Sequence, residues 1–296
     1  MPNFICGVDV GATKIESYLF RFEKNTYKIL SHDKRYTQVE DGKKAILKNI
    51  EQAIQKIIGK RKNIDAIGIS LPGLIIDNRI EFLPNMKSLN EYDLAGHMSR
   101  KHKVPVQLRN DGDCFTLAES KFGAGKECQI TAGMTIGSGV GGGLSINNEI
   151  VHNAMEVGHM TVVKGGKGCS CGGFGCLEPY INGNSITKRY YKKTKLVMRP
   201  KEILHLRSTP TRETIAETAE YVAAGIGNIL TLVSPDCIVI GGGISKSRAL
   251  LQKTRTILTQ NESYARRSRD VKIRRTKLEG VAAPLGVAYE AARTLE

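Results

Sequence analysis

Residues 4–20 read F-I-C-G-V-D-V-G-A-T-K-I-E-S-Y-L-F, two apolar runs separated by a turn that contains Gly11. The pattern predicts a strand, a glycine-containing turn and a returning strand. Residues 129–146, Q-I-T-A-G-M-T-I-G-S-G-V-G-G-G-L-S-I, repeat the plan with more glycine. The echo continues downstream. I-D-A-I-G-I-S-L-P-G at 64–73 is matched by P-D-C-I-V-I-G-G-G-I-S at 235–245. Continuous apolar runs that end in glycine are expected of central strands in sheets covered by helices on both faces. Two related α/β halves with a cleft between them are the simplest account, and ligands in such folds bind beyond strand ends.

Helical spacing fills the gaps between these strands. Ala45, Ile46, Ile50, Ala53, Ile54, Ile57 and Ile58 recur every three or four residues, with Asp41 placed to cap the helix and Gly59 to stop it. A second long helix is predicted from about Thr211, with Ile215, Ala219, Val222, Ala223, Ile226 and Ile229 inward, ending before Pro235. An Ala-rich helix over 284–295 is expected to pack back against the first half.

Bulk properties narrow the class. The chain has 296 residues, 41% hydrophobic and 25% charged, values of a globular protein long enough for two domains. No apolar run approaches the roughly 18–20 residues that span a bilayer, so no membrane partner is expected. The first residues enter a strand pattern with no leader signature, and seven cysteines are an odd number; the cytoplasm is the expected compartment. The net charge of +15 concentrates in 187–207 and 266–275. It is read as a solvated face with a bias towards anionic ligands, because no nucleic-acid-binding pattern accompanies it.

Chemistry gathers at five places. In D-V-G-A-T-K (9–14), backbone N–H groups of a tight turn at Gly11, with the Thr13 hydroxyl and the Lys14 ammonium, suit phosphate oxygens, and Asp9 suits a hydrated Mg²⁺ beside them. In T-I-G-S-G-V-G-G-G (135–143), five glycines in nine residues let Gly137, Ser138 and Gly139 approach a polyphosphate closely. In V-P-V-Q-L-R-N-D-G-D (104–113), a strand ends at Asn110-Asp111. Asp111 is placed to accept a proton from a hydroxyl, Asn110 to hydrogen-bond another, and Asp113 to cap the following helix. The turn at Gly241, Gly242 and Gly243 is of a kind that packs against a nucleotide.

The fifth is H-M-T-V-V-K-G-G-K-G-C-S-C-G-G-F-G-C-L-E (159–178). It offers His159, Cys169, Cys171 and Cys176, the nitrogen and sulfur donors of tetrahedral zinc, with Glu156 and Glu178 at its edges. Cys6, Cys114, Cys128 and Cys237 lie in apolar segments and are expected in the core.

Read in order, these residues resemble the ROK family of sugar kinases. C-S-C-G-G-F-G-C-L-E (169–178) fits the family signature C-x-C-G-x-x-G-C-x-E; D-V-G-A-T-K fits D-x-G-x-T-K, E-V-G-H (156–159) fits E-x-G-H, and R-N-D (109–111) falls at the Asn-Asp pair. The resemblance implies an actin-like (ribonuclease-H-like) ATPase fold. A small domain would comprise 1–112 with a returning helix over 284–296, and a large domain 113–283 would carry the zinc segment. It also implies ATP-dependent phosphorylation of a hexose, usually on the C6 hydroxyl, with Asp111 as general base. Asn110, Glu156, His159, Glu178 and, more loosely, Gly73 would hold the sugar; zinc would be structural and Mg²⁺ would accompany ATP. A homo-oligomer, dimer or tetramer, is expected. I-V-H-N-A-M-E-V-G-H (150–159) departs from the glycine-rich run common in the family, which leaves glucose, an N-acetylhexosamine and fructose as alternatives. Some relatives are DNA-binding regulators with a helix-turn-helix ahead of the phosphate turn; only eight residues precede Asp9 here, and catalysis is the expectation.

Overall fold

The computed structural model describes residues 3–24, 26–59, 61, 63–153 and 155–295. The chain separates into two compact units, one running to Ala118 and resuming at Gly280, the other Glu119–Glu279.

The first unit opens with β1 (Asn3–Val10), β2 (Lys14–Glu23) and β3 (Thr26–Tyr36), followed by α1 (Gly42–Ile58) and β4 (Ala66–Leu71). A small hairpin, β5 (Leu74–Ile76) and β6 (Arg79–Phe82), precedes α2 (Leu94–His102), β7 (Val106–Asn110) and α3 (Asp111–Phe122). Its five-stranded sheet has the order β3-β2-β1-β4-β7. β1 runs antiparallel to β2 and parallel to β4, and β4 runs parallel to β7. Ile46, Ile50, Ala53, Ile54 and Ile57 of α1 are buried in one cluster with Val8, Ile67, Ile69 and Leu108. Burying such side chains contributes about 1.5–3 kcal/mol each. Asp41 sits at the helix cap without making a side-chain cap bond, so the helix starts there without the expected carboxylate bond, while Gly59 ends it at φ 60°.

The second unit repeats the plan with β8 (Ile130–Ile136), β9 (Val140–Ile146) and β10 (Glu149–Val151). After a long loop come α4 (Glu178–Ile181), α5 (Gly183–Thr194), α6 (Pro200–Ile203), α7 (Thr209–Leu232), β11 (Cys237–Gly241), α8 (Arg248–Gln260), α9 (Glu262–Ser268) and β12 (Lys272–Arg275). Sheet order is β10-β9-β8-β11-β12, with β8 antiparallel to β9, parallel to β11, and β11 parallel to β12. The two glycine turns therefore join corresponding strand pairs. Ser208 caps α7 by accepting from Thr211 N, and Ile215, Ala219, Val222, Ala223, Ile226 and Ile229 are buried as the spacing predicts.

The C-terminal helix (Ala282–Arg293) packs on β1 and β4 of the first unit. Glycines make the approach close. A Cβ on Gly7 would lie 2.1 Å from Pro284 O, and one on Gly68 2.3 Å from Val287 O. In the second unit the fully buried Glu119 carboxylate accepts from the N–H groups of Ala124, Lys277 and Leu278 and from the Thr276 hydroxyl. A buried charge is tolerable only with such a set of donors.

Candidate active site and metal centre

Three parallel strands of the first unit end side by side, and their register sets the side chains. Asp9 on β1 pairs with Ser70 on β4, which pairs with Arg109 on β7; Asn110 and Asp111 follow at once. Ser70 is fully buried and its hydroxyl donates to Asp9 Oδ1 at 2.8 Å. Burial and the charge of Asp111 push the Asp9 carboxyl up to about 7, against the pull of the Ser70 bond. Two carboxyls at one strand-end cluster invite a proton or a cation between them.

Asp111 is the first residue of α3, and one of its oxygens accepts from the Gly112 N–H at 2.9 Å. A helix N-terminus favours negative charge. Asn110, not Asp113, caps this helix: its Oδ1 accepts from Gly112 N (2.8 Å) and Asp113 N (3.1 Å). Asp113 is inside the helix and buried, because the helix begins three residues earlier than a cap at 113 requires. Asn110 Nδ2 donates to Gly73 O at 2.9 Å, so Asn110 ties the loop after β4 to the start of α3. Gly73 itself has φ 151°, and a Cβ there would meet Phe82 O at 2.3 Å.

The D-V-G-A-T-K turn is pinned from β3's end, where Thr37 donates from N–H to Thr13 O (3.1 Å) and from its hydroxyl to Gly11 O (2.6 Å). Thr13 is exposed. Lys14 Nζ lies 2.5 Å from Glu16 Oε1, so its ammonium rests on a carboxylate of the same strand.

In the second unit the corresponding turn is open at Gly137, where an added Cβ meets nothing within 4 Å, and Ser138 is exposed. At Gly139 an added Cβ would lie 2.9 Å from Glu178 Oε2, which accepts from Val140 N at 2.8 Å. Not every glycine of this stretch serves an approach to phosphate. A Cβ on Gly142 would collide with Val157, and one on Gly158 with Val140 O at 2.2 Å. These two let the short turn Val157–His159 lie on β9. Gly241 is buried at the end of β11, Gly242 (φ 78°) packs on the Ile136 backbone, and Gly243 faces open space.

The loop from Thr161 to Leu177 folds on itself through Val162 N→Gly175 O (2.8 Å), Gly175 N→Lys167 O (2.7 Å) and Cys169 N→Gly173 O (2.9 Å). Only glycine suits position 175, where φ is 76° and a Cβ would lie 1.7 Å from Val163 O. The result brings together one donor atom each from His159, Cys169, Cys171 and Cys176, all within 4.8 Å of one another. Cys171 Sγ and Cys176 Sγ are 3.7 Å apart, and Cys169 Sγ is 3.5 Å from His159 Nδ1. Metal–donor lengths of about 2.3 Å to sulfur and about 2.05 Å to nitrogen set tetrahedral edges of about 3.8 Å and about 3.6 Å. The four residues thus fit a tetrahedral ion of zinc's size. Without a cation, burial and the neighbouring thiols push the Cys176 thiol up to about 12. Glu178, the first residue of α4, also faces Ser170 Oγ at 3.4 Å, and Glu156 is exposed. The thiols of Cys6, Cys114, Cys128 and Cys237 are buried in the cores.

Ser70 and the Asn110–Gly73 bond carry no local sequence signal; each joins residues distant in the chain, and only strand register brings them together.

Against known families, the model of the ROK family matches residues 5–293. The chain belongs to the ROK family. An N-acetyl-D-glucosamine kinase of Erwinia tasmaniensis is 30% identical to this ROK protein, over 82% of this chain and 85% of the relative. A xylose repressor of Bacillus spizizenii is 28% identical over 84% of this chain, which spans 66% of that repressor's length. Among solved structures, a ROK glucokinase of Streptomyces griseus in complex with glucose and AMPPNP superposes with a TM-score of 0.85 at 25% identity. It covers 98% of this chain and 100% of its own. The fold of this ROK protein is accordingly the actin-like ATPase fold. Among the described residues no helix is long and apolar enough to cross a membrane.

Proposed function

We propose that this ROK protein is an ATP-dependent hexose kinase acting on the C6 hydroxyl of glucose. The observation that carries it is the strand-end cluster of Asp9, Ser70, Asn110 and Asp111, where the charge of Asp111 helps to push the buried Asp9 carboxyl up to about 7. From the first unit, Asp111 is the general base that takes the hydroxyl proton as the oxygen attacks the γ-phosphorus. Asn110 fixes Asp111 by capping α3 and keeps one amide hydrogen for a sugar hydroxyl. The Thr13 hydroxyl and the turn's N–H groups face the phosphates. From the second unit, Glu156, His159 Nε2 and Glu178 hold further hydroxyls, and Gly137 and Gly243, each open at its Cβ position, leave backbone room for the nucleotide. Mg²⁺ held with ATP near Asp9 would neutralise phosphate charge. Zinc on His159, Cys169, Cys171 and Cys176 would be structural, since four protein ligands leave no open position.

A glucokinase among the solved relatives binds glucose and AMPPNP, and this supports glucose and ATP as the first choice. A second choice, an N-acetylhexosamine, is favoured by the 30%-identical N-acetyl-D-glucosamine kinase and by the departure at His152, Asn153 and Met155. Cytoplasmic location, a role in glycolysis and a dimer or tetramer go with the kinase assignment. Measuring ADP release over glucose, fructose, N-acetylglucosamine and N-acetylmannosamine decides among them, with the highest kcat/KM expected for glucose. No turnover with any sugar, together with tight, salt-sensitive binding to a specific DNA operator, would move the protein to the repressor branch.

A further inference from the structure

Beside the cysteine loop the second unit carries a half-open cavity of 610 Å³ bounded by the loop at Lys167–Ser170, by α5 and by α7. Its walls carry an uneven charge. Arg189 is spoken for: its guanidinium bonds Glu217 Oε2 (3.0 Å), Thr218 Oγ1 (2.7 Å) and Tyr180 O (3.1 Å). Glu217 is further held by Lys193 at 2.7 Å. Lys167, Lys188 and Lys192 have no carboxylate within ion-pair distance among the described residues, although all three line the cavity. Lys188 and Lys192 stand one turn apart on α5, where like charges repel. The ammonium of Lys167 lies over the Tyr180 ring, 4.5 Å from its centroid, and its backbone N–H donates to the Tyr180 hydroxyl at 2.8 Å.

We propose that this cavity is a second ligand site, taking a phosphate-bearing small molecule of about hexose-phosphate size. Three ammonium groups without a carboxylate partner line it from two elements, Lys167 with one bond to Pro179 O (3.2 Å), and together they offer the positive charge that a phosphate dianion requires. The volume exceeds what a bare phosphate fills and lies within the range of small-molecule sites. Tyr221 on the α7 wall, its ring packed against Tyr180 at 4.4 Å, borders the space for the rest of the ligand, and the exposed Asn184 amide offers donors. Glu220 and Glu217 on the far wall disfavour a ligand that is anionic at both ends. The site abuts the candidate sugar-holding groups: Ser170 and Glu178 line the cavity and face each other at 3.4 Å. A ligand seated on Lys167 is therefore positioned to act on Glu178 through the loop. This goes beyond the kinase assignment and does not depend on it.

The test is calorimetric titration of the full chain with inorganic phosphate and, separately, with glucose 6-phosphate, comparing wild type with the Lys188→Gln/Lys192→Gln double variant. Both substitutions are on exposed positions, and circular dichroism checks that the fold is kept. Glucose 6-phosphate should bind wild type more tightly than phosphate, and both should weaken about tenfold or more in the variant. Raising salt should weaken wild type more than the variant. KM for ATP should not move. Equal binding to wild type and variant would put the anion elsewhere and overturn the site, as would no saturation of either probe below about 10 mM. Phosphate binding as tightly as glucose 6-phosphate would overturn the larger ligand. A variant altered only in sedimentation, with anion binding unchanged, would assign the face to contacts between copies and overturn the site as well.

Discussion

The two units share one strand order and one pattern of parallel and antiparallel neighbours, yet they end their strands in opposite chemistry. Where the first unit pairs Asp9 with Ser70, the second pairs Thr135 with Gly241. Where β7 ends in Asn110 and passes to Asp111, β12 ends in Arg275, which is bound to Glu279. The first unit thus gathers negative charge at its strand ends, and the second gathers glycines and bare backbone. Under the proposed function, the same hairpin scaffold would serve a proton or a cation in one copy and an anion in the other. Topology alone says nothing of function; the residues at the strand ends decide it.

The sharpest way to break this contrast is to remove the acid that has no counterpart. Asp111→Asn keeps the shape of the α3 start and should lower kcat by about 10²–10⁴ while leaving sugar binding nearly intact. ADP release gives kcat, and calorimetry with the sugar alone gives the binding. Activity within about tenfold of wild type would mean the strand-end acids of the first unit are not the proton acceptor.

The second unit's distinguishing feature is its loop with the candidate metal ligands His159, Cys169, Cys171 and Cys176, for which the first unit has no equivalent among the described residues. Cys171 is exposed, so Cys171→Ser removes a ligand without opening a core. Zinc content should fall, and KM for the sugar should rise about 10–100-fold, with KM for ATP little changed. Elemental analysis and steady-state kinetics measure both. Equal losses on the sugar and ATP sides would show a unit that unfolds without its ion, not a loop that positions Glu156, His159 and Glu178.

Much of this contrast was legible in the sequence, and its gaps have a physical pattern. The repeat was readable because apolar runs ending in glycine mark central strands wherever they lie. The cysteine loop was readable because its ligands sit within twenty residues of one another, as local spacing. Assigning the α3 cap to Asp113 failed because a cap depends on where the helix starts. Asn110 accepts two N–H bonds there, and no spacing rule chooses between two polar residues three apart. Ser70, bonded to Asp9 across 61 positions, and Glu119, bonded near Thr276, were invisible because only sheet register and loop packing unite them. Reading five glycines as room for phosphate also claimed too much, since Gly142 is needed to seat Val157.

The smallest effect expected is on stability, and it separates the units without any assay of turnover. Asp9 titrates at about 7 in the folded chain against an ordinary 3.8, so between those values the folded protein binds a proton that the unfolded chain has released. Stability from this group is complete below the lower value and is lost as pH rises through the upper one. In the absence of divalent cations, the Tm of wild type relative to Asp9→Asn should therefore decline as pH goes from about 4 to about 7 and level off above. Mg²⁺ should flatten the decline by taking the proton's place beside the two carboxyls. Thr135→Val, at the matching strand end of the second unit, should leave the slope untouched because that end carries no acid. A slope that survives Asp9→Asn, or one that Thr135→Val abolishes, would place the titrating group outside the first unit's strand ends and undo the contrast between the two copies.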